Sequence, residues 1–131
     1  MSAIWWQQLV LVAAGGACGA VGRFLLSGWM TRAMGSDFPW GTLAANLLGS
    51  LLAGFVLVWL EGRGASGLLW RAFLMVGVLG GLTTFSALMV ELVLLQRGTG
   101  PHWGGVYLGT SLVGGLALLW VGMRLGDWLR S

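Results

Sequence analysis

The chain has 131 residues, 57% of them hydrophobic and 8% charged, with a mean hydropathy of +0.86. A soluble domain carries about 25% charged residues, so this chain cannot cover itself in water and reads as one integral membrane domain, residues 1–131. The net charge of +3 comes from seven Arg, no Lys and four acids with no basic run, which leaves nucleic-acid binding without support.

A hydrocarbon core about 30 Å thick needs about 20 apolar residues per helix, and that window finds four spans in chain order. The first runs from about Trp5 to Leu26. It lacks the basic start of a signal peptide and is read as a retained helix. Its Cys18 reads as a small packing residue, and the lone cysteine excludes an internal disulfide. Gly15-x-x-x-Gly19 puts small residues on one face; the cluster lacks the spacing and the preceding strand of a dinucleotide fingerprint. Arg23 closes this span. Snorkelling to the interface accounts for its position, and a positive charge at a pore mouth would also concentrate anions.

The second span, about Trp40 to Leu60, follows a polar loop containing Arg32, Gly35, Asp37 and Pro39. It carries Gly41-x-x-x-Ala45-x-x-x-Gly49-x-x-x-Ala53 and the chain's single asparagine, Asn46. An amide in hydrocarbon needs partners. It is either glue between helices, worth about 0.6–2 kcal/mol, or a donor to an anion. Thr42 lies one turn earlier on the same face and extends a polar line.

The third span, about Leu68 to Leu95, is the unusual one. Its middle reads Gly77-Val78-Leu79-Gly80-Gly81-Leu82-Thr83-Thr84-Phe85-Ser86. Each interior Gly costs about 1 kcal/mol relative to Ala, and Thr and Ser offer the backbone competing hydrogen bonds. Irregular backbone survives in lipid only where protein or a watery cavity surrounds it. A break at mid-membrane is where transport proteins place ion sites. The spacing therefore predicts a broken helix lining an ion path. Phe85 directly follows the break, and a ring edge is the positive part of the aromatic quadrupole, suited to a small anion. Glu91, about two turns on, is costly to bury and is a functional residue by default, unless it lies at the membrane surface.

The fourth span, about Trp103 to Leu125, follows a Gly/Pro loop in which His102 has no partner at metal-ligand spacing. Tyr107 and Ser111 share a helix face, with Gly115 next along it; such a stripe serves packing or a pore wall. Gly105-x-x-x-Gly109 is a third small-residue pattern. All nine tryptophans fall near proposed span ends, as an interfacial aromatic belt requires. Arg63, Arg71, Arg124 and Arg130 lie with the termini, and Arg23, Arg32 and Arg97 lie opposite. The positive-inside rule has little asymmetry to act on, so this count predicts dual topology.

Gly15 to Arg23, Gly41 to Gly49 and Gly77 to Ser86 resemble the first-, second- and third-helix motifs of the Fluc (CrcB) fluoride channels. The resemblance covers essentially the whole chain, and the third motif is specific. It implies an all-α fold of four transmembrane helices with the third broken, paired as an antiparallel dual-topology homodimer. It further implies two fluoride pores and a sodium ion at the dimer centre, held by the backbone carbonyls of Gly80 and Thr83. Asn46, Phe85, Ser86, Tyr107, Ser111 and Thr42 map to the pore, and Arg23 to a vestibule, where Glu91 is also placed. Where the family usually reads T-T-F-S-T-F, this chain has Ala87 and Leu88, so Leu88 takes the place of the second pore phenylalanine. Gly115 stands where a further hydroxyl is common. A variant pore is the expectation.

The function so implied is passive, fluoride-selective export across the cell (inner) membrane. Two rivals differ in class. A small multidrug transporter is also four-helix and dual-topology, but works through a first-helix carboxylate that is absent here. A non-transporting subunit of a membrane complex is the other. No cluster of nucleophile, base and orienting group supports an enzyme.

Overall fold

The computed structural model describes residues 3–131, all of whose regular structure is helical. In chain order come α1 (Ala3–Met34), α2 (Trp40–Leu60), α3 (Gly64–Trp70), a π-helical segment Arg71–Leu79, α4 (Gly80–Leu82), α5 (Phe85–Gly98) and α6 (Pro101–Arg130). Four stretches are long and apolar enough to cross a membrane: α1, α2, the composite Gly64–Gly98 and α6. The discontinuous third span is as expected; the π-helical turns that precede its break were not legible in the sequence.

Two helices outrun their apolar stretches, because hydrocarbon thickness limits apolar length and not helix length. α1 continues past Leu26 until Gly35, whose φ of +86° suits a residue without a Cβ. α6 begins at Pro101, after Gly100 at φ +112°. His102 therefore sits, exposed, in the first turn of α6 and not in a loop.

Packing follows small residues. α1 lies along the third span and α2 along α6. A Cβ added at Gly15 would strike the Phe73 carbonyl, and one at Gly19 the Val78 carbonyl, so the first small-residue pattern sets the α1 contact. The α2–α6 contact is closed by Gly54 against the Leu119 carbonyl and Gly122 against the Leu51 carbonyl. Neither was singled out in the sequence. Gly105 and Gly109, which were, have nothing within 4 Å of an added Cβ and face away from the chain. Cys18 is likewise exposed and does not pack inside the chain.

Aromatic residues gather at both ends. Trp59 and Trp70 meet edge-on at 5.6 Å with Arg63 stacked over Trp59 at 3.7 Å, while Phe38 packs on Trp40 at 4.7 Å and faces Trp103 at 6.2 Å. Arg130 closes the terminal end, donating to Glu61 at 2.7 Å and to the Val58 carbonyl at 3.1 Å.

One expectation is overturned. Arg23 does not close a span: it lies within α1 and donates from Nε to the Gly81 carbonyl at 3.2 Å, beside the break and near the middle of the Gly64–Gly98 span.

Candidate functional site

The break is built by exchange of hydrogen bonds. Leu82 ends α4, and Thr83 and Thr84 are extended, with φ/ψ of −88°/151° and −151°/124°. In an unbroken helix the Thr84 amide would donate to the Gly80 carbonyl. Here it donates to Asn46 Oδ1 at 2.8 Å, and Asn46 Nδ2 donates to the Thr84 carbonyl at 3.0 Å. The side-chain amide thus pairs with both polar groups of Thr84, as a neighbouring strand would. Thr84 Oγ1 then caps α5 by accepting from the Ala87 amide at 3.3 Å. That amide is the one the Thr83 carbonyl would otherwise have met.

The break releases four carbonyls from their helical donors, those of Gly80, Gly81, Leu82 and Thr83. Of these, the Gly81 carbonyl is taken by Arg23, and the Thr83 hydroxyl donates back to the Leu79 carbonyl at 2.8 Å. Carbonyl oxygens freed from helical donors are a donor type suited to a hard cation. Gly80 itself is exposed on the surface of the chain.

Around the break lies an open groove of about 400 Å³, lined among others by Asn46, Gly80, Thr83, Phe85, Leu88 and Ser111. Phe85 is 69% exposed and projects from the chain, whereas Leu88 is 4% exposed and packs with Leu43, Leu95 and Tyr107. The two positions therefore differ in role: Phe85 presents a whole ring outward, and Leu88 offers the groove only an edge. Ser86 is exposed, with its hydroxyl 3.3 Å from that of Thr84. Ser111 Oγ is buried with no hydrogen-bond partner among the described residues, and Asn46 Nδ2 retains one N–H after bonding Thr84. These are donors available to an anion.

A second polar group sits on the loop side of the break. Tyr107, fully buried, donates to Glu91 Oε2 at 2.6 Å, and Thr42 donates to Oε1 at 2.7 Å. Phe38 braces the Tyr107 ring edge-on at 5.4 Å. Glu91 and Thr42 line a cavity of about 430 Å³ that also collects the hydroxyls of Ser27, Thr31, Ser36 and Thr99. Glu91 is thus held by two hydrogen bonds from other helices, each worth about 0.5–1.5 kcal/mol, at a half-buried position. Arg23 and Glu91, expected in one vestibule, serve different places: the break and this cavity. Sequence reading missed Thr84 as the clasped residue and Gly81 as the partner of Arg23, although both lie inside the signature stretch.

These features define the class: a multi-pass helical membrane protein with a discontinuous third span, and a polar site at the discontinuity. Residues 10–123 match the model of the CrcB-like protein, Camphor Resistance (CrcB) family. The chain is 50% identical over 126 residues to a fluoride-specific ion channel FluC of Xanthomonas axonopodis pv. citri, covering 96% of this chain and 95% of that one. It is 47% identical to the protein of that name from Xylella fastidiosa, covering 96% and 88%, and 44% identical to that of Thermus thermophilus, covering 94% and 96%. The chain belongs to the CrcB family.

Proposed function

We propose that this protein is a fluoride-selective channel, through which fluoride leaves the cytoplasm passively. It works in the cell (inner) membrane as an antiparallel homodimer with two pores and a sodium ion at its centre. The observation that carries the reading is the clasp of Asn46 on Thr84. It accompanies a break near the middle of the third span, with Phe85 exposed beside it and hydrogen-bond donors suited to an anion. No acidic residue lines the groove at the break, while Glu91 and Asp37 line the separate loop-side cavity; the groove itself therefore favours anions over the cationic substrates of a multidrug transporter.

A second copy is called for by the bilayer. Backbone carbonyls facing lipid are costly, and Gly80, Phe85 and Ser86 all lie on the exposed side of the break. Pairing two breaks covers them and brings four carbonyls, Gly80 and Thr83 from each chain, around one cation. That cation would neutralise carbonyl dipoles at the ends of the two half-helices. The antiparallel sense is the one the family resemblance implies.

Along each pore, Asn46 and Ser111 donate hydrogen bonds and Phe85 presents the ring edge. Thr42 and Tyr107 hold hydroxyl donors ready on Glu91, where a passing anion competes for them. Fluoride, small and a strong acceptor, gains most from such donors. The test is efflux from proteoliposomes: fluoride should leave and chloride should not. Equal release of both halides would refute the selectivity.

A further inference from the structure

Arg23 has more to do than supply a positive charge. α4 is only three residues long, held between a π-helical segment and an extended pair. It continues the preceding helix, since the Thr83 amide still donates to the Leu79 carbonyl at 3.0 Å. Three side-chain contacts add to that hold where the helix ends: the Thr83 hydroxyl on Leu79, Asn46 on Thr84, and Arg23 on Gly81. The Arg23 bond is the only one of the three that comes from α1, and it falls between the carbonyls of Gly80 and Thr83. α1 is pressed against this point, since a Cβ on Gly81 would meet the Gly16 carbonyl at 2.5 Å and one on Gly19 the Leu82 amide at 2.8 Å.

We infer that Arg23 is a positioning residue for the cation cage: its Nε–H pins the Gly81 carbonyl away from the cage and so aims the carbonyls of Gly80 and Thr83 into it. This rests on the proposed cation at the break. The inference runs against simple electrostatics, which makes it testable. A positive charge that merely stands nearby repels a cation, so its removal would tighten cation binding. Removal of a pin loosens the cage and weakens binding. The two roles predict opposite signs.

The experiment uses the purified full-length dimer and follows its thermal unfolding midpoint as sodium replaces a bulky organic cation. The wild type should be stabilised saturably by sodium. Arg23→Met should raise the half-saturating sodium concentration about tenfold, the scale of one lost charged-donor hydrogen bond. Arg23→Gln, whose amide can still donate, should shift it in the same direction by less, and serves if the methionine variant does not fold. An unchanged or lowered half-saturation in the variant measured overturns the positioning role. A wild type indifferent to sodium instead removes the cation from the break, and this inference with it.

Discussion

Replacing Asn46 with Asp changes one nitrogen to an oxygen with almost no change in shape. The Oδ1 bond from the Thr84 amide survives, but the 3.0 Å bond from Nδ2 to the Thr84 carbonyl becomes oxygen against oxygen. An unsatisfied acceptor in such a place costs about 1–3 kcal/mol, so the unfolding midpoint should fall. The larger effect is on conduction. A carboxylate about 4 Å from a fluoride, at an effective dielectric constant of about 20, opposes it by about 4 kcal/mol. That is about a thousandfold in rate. Asn46→Ala loses the clasp without adding the charge and should show the stability loss with a smaller loss of flux. The assay is initial fluoride efflux from proteoliposomes read by a fluoride electrode, beside melting of the same preparations. Fluoride efflux of Asn46→Asp within threefold of wild type would refute the placing of Asn46 beside the ion.

Tyr107→Phe removes one of the two hydroxyl donors on Glu91; it should lower the melting stability by about 1–3 kcal/mol and slow fluoride efflux, and unchanged efflux would take this cluster out of the ion path. Leu88→Phe, which inserts the residue that the family resemblance implies for the second pore position, forces a ring into a position that is 4% exposed against Leu43, Leu95 and Tyr107. Overpacking should cost about 1–3 kcal/mol, and a variant both more stable and faster would contradict the packing described. Gly122→Ala puts a methyl group into the Leu51 carbonyl of α2 and should sharply reduce the yield of folded protein on size-exclusion chromatography, whereas a normal yield would mean that the α2–α6 contact is looser than it stands here.

How much of this was legible in the sequence depends on whether a residue's partner is local. The four spans follow from apolar length, and the break from the Gly and Thr cluster around Thr83 and Thr84, properties that need no knowledge of packing. Asn46 was marked by its chemistry, since an amide in lipid needs a partner, but pairing with the Thr84 backbone required α2 and the third span to be placed side by side. The clasp is the reading of Asn46 as glue between helices; the N–H that remains is what the proposed anion contact would use. Arg23 was placed at the end of a span because the apolar stretch stops near Leu26, while the α1 helix continues to Met34. Glu91 was flagged by cost alone; its donors, Thr42 and Tyr107, come from two other helices. Small-residue patterns mark the faces able to pack closely, and only the neighbours decide which are used, so Gly15 and Gly19 found a partner within the chain where Gly105 and Gly109 did not.

The central claim, a passive and selective fluoride pathway, is tested most directly by electrical recording across a planar bilayer with unequal fluoride on the two sides and chloride as the other anion. The account predicts a current that reverses at the fluoride equilibrium potential and does not move when the chloride gradient is changed. A reversal potential that follows chloride, or transport that requires a proton gradient and carries no such current, would contradict it.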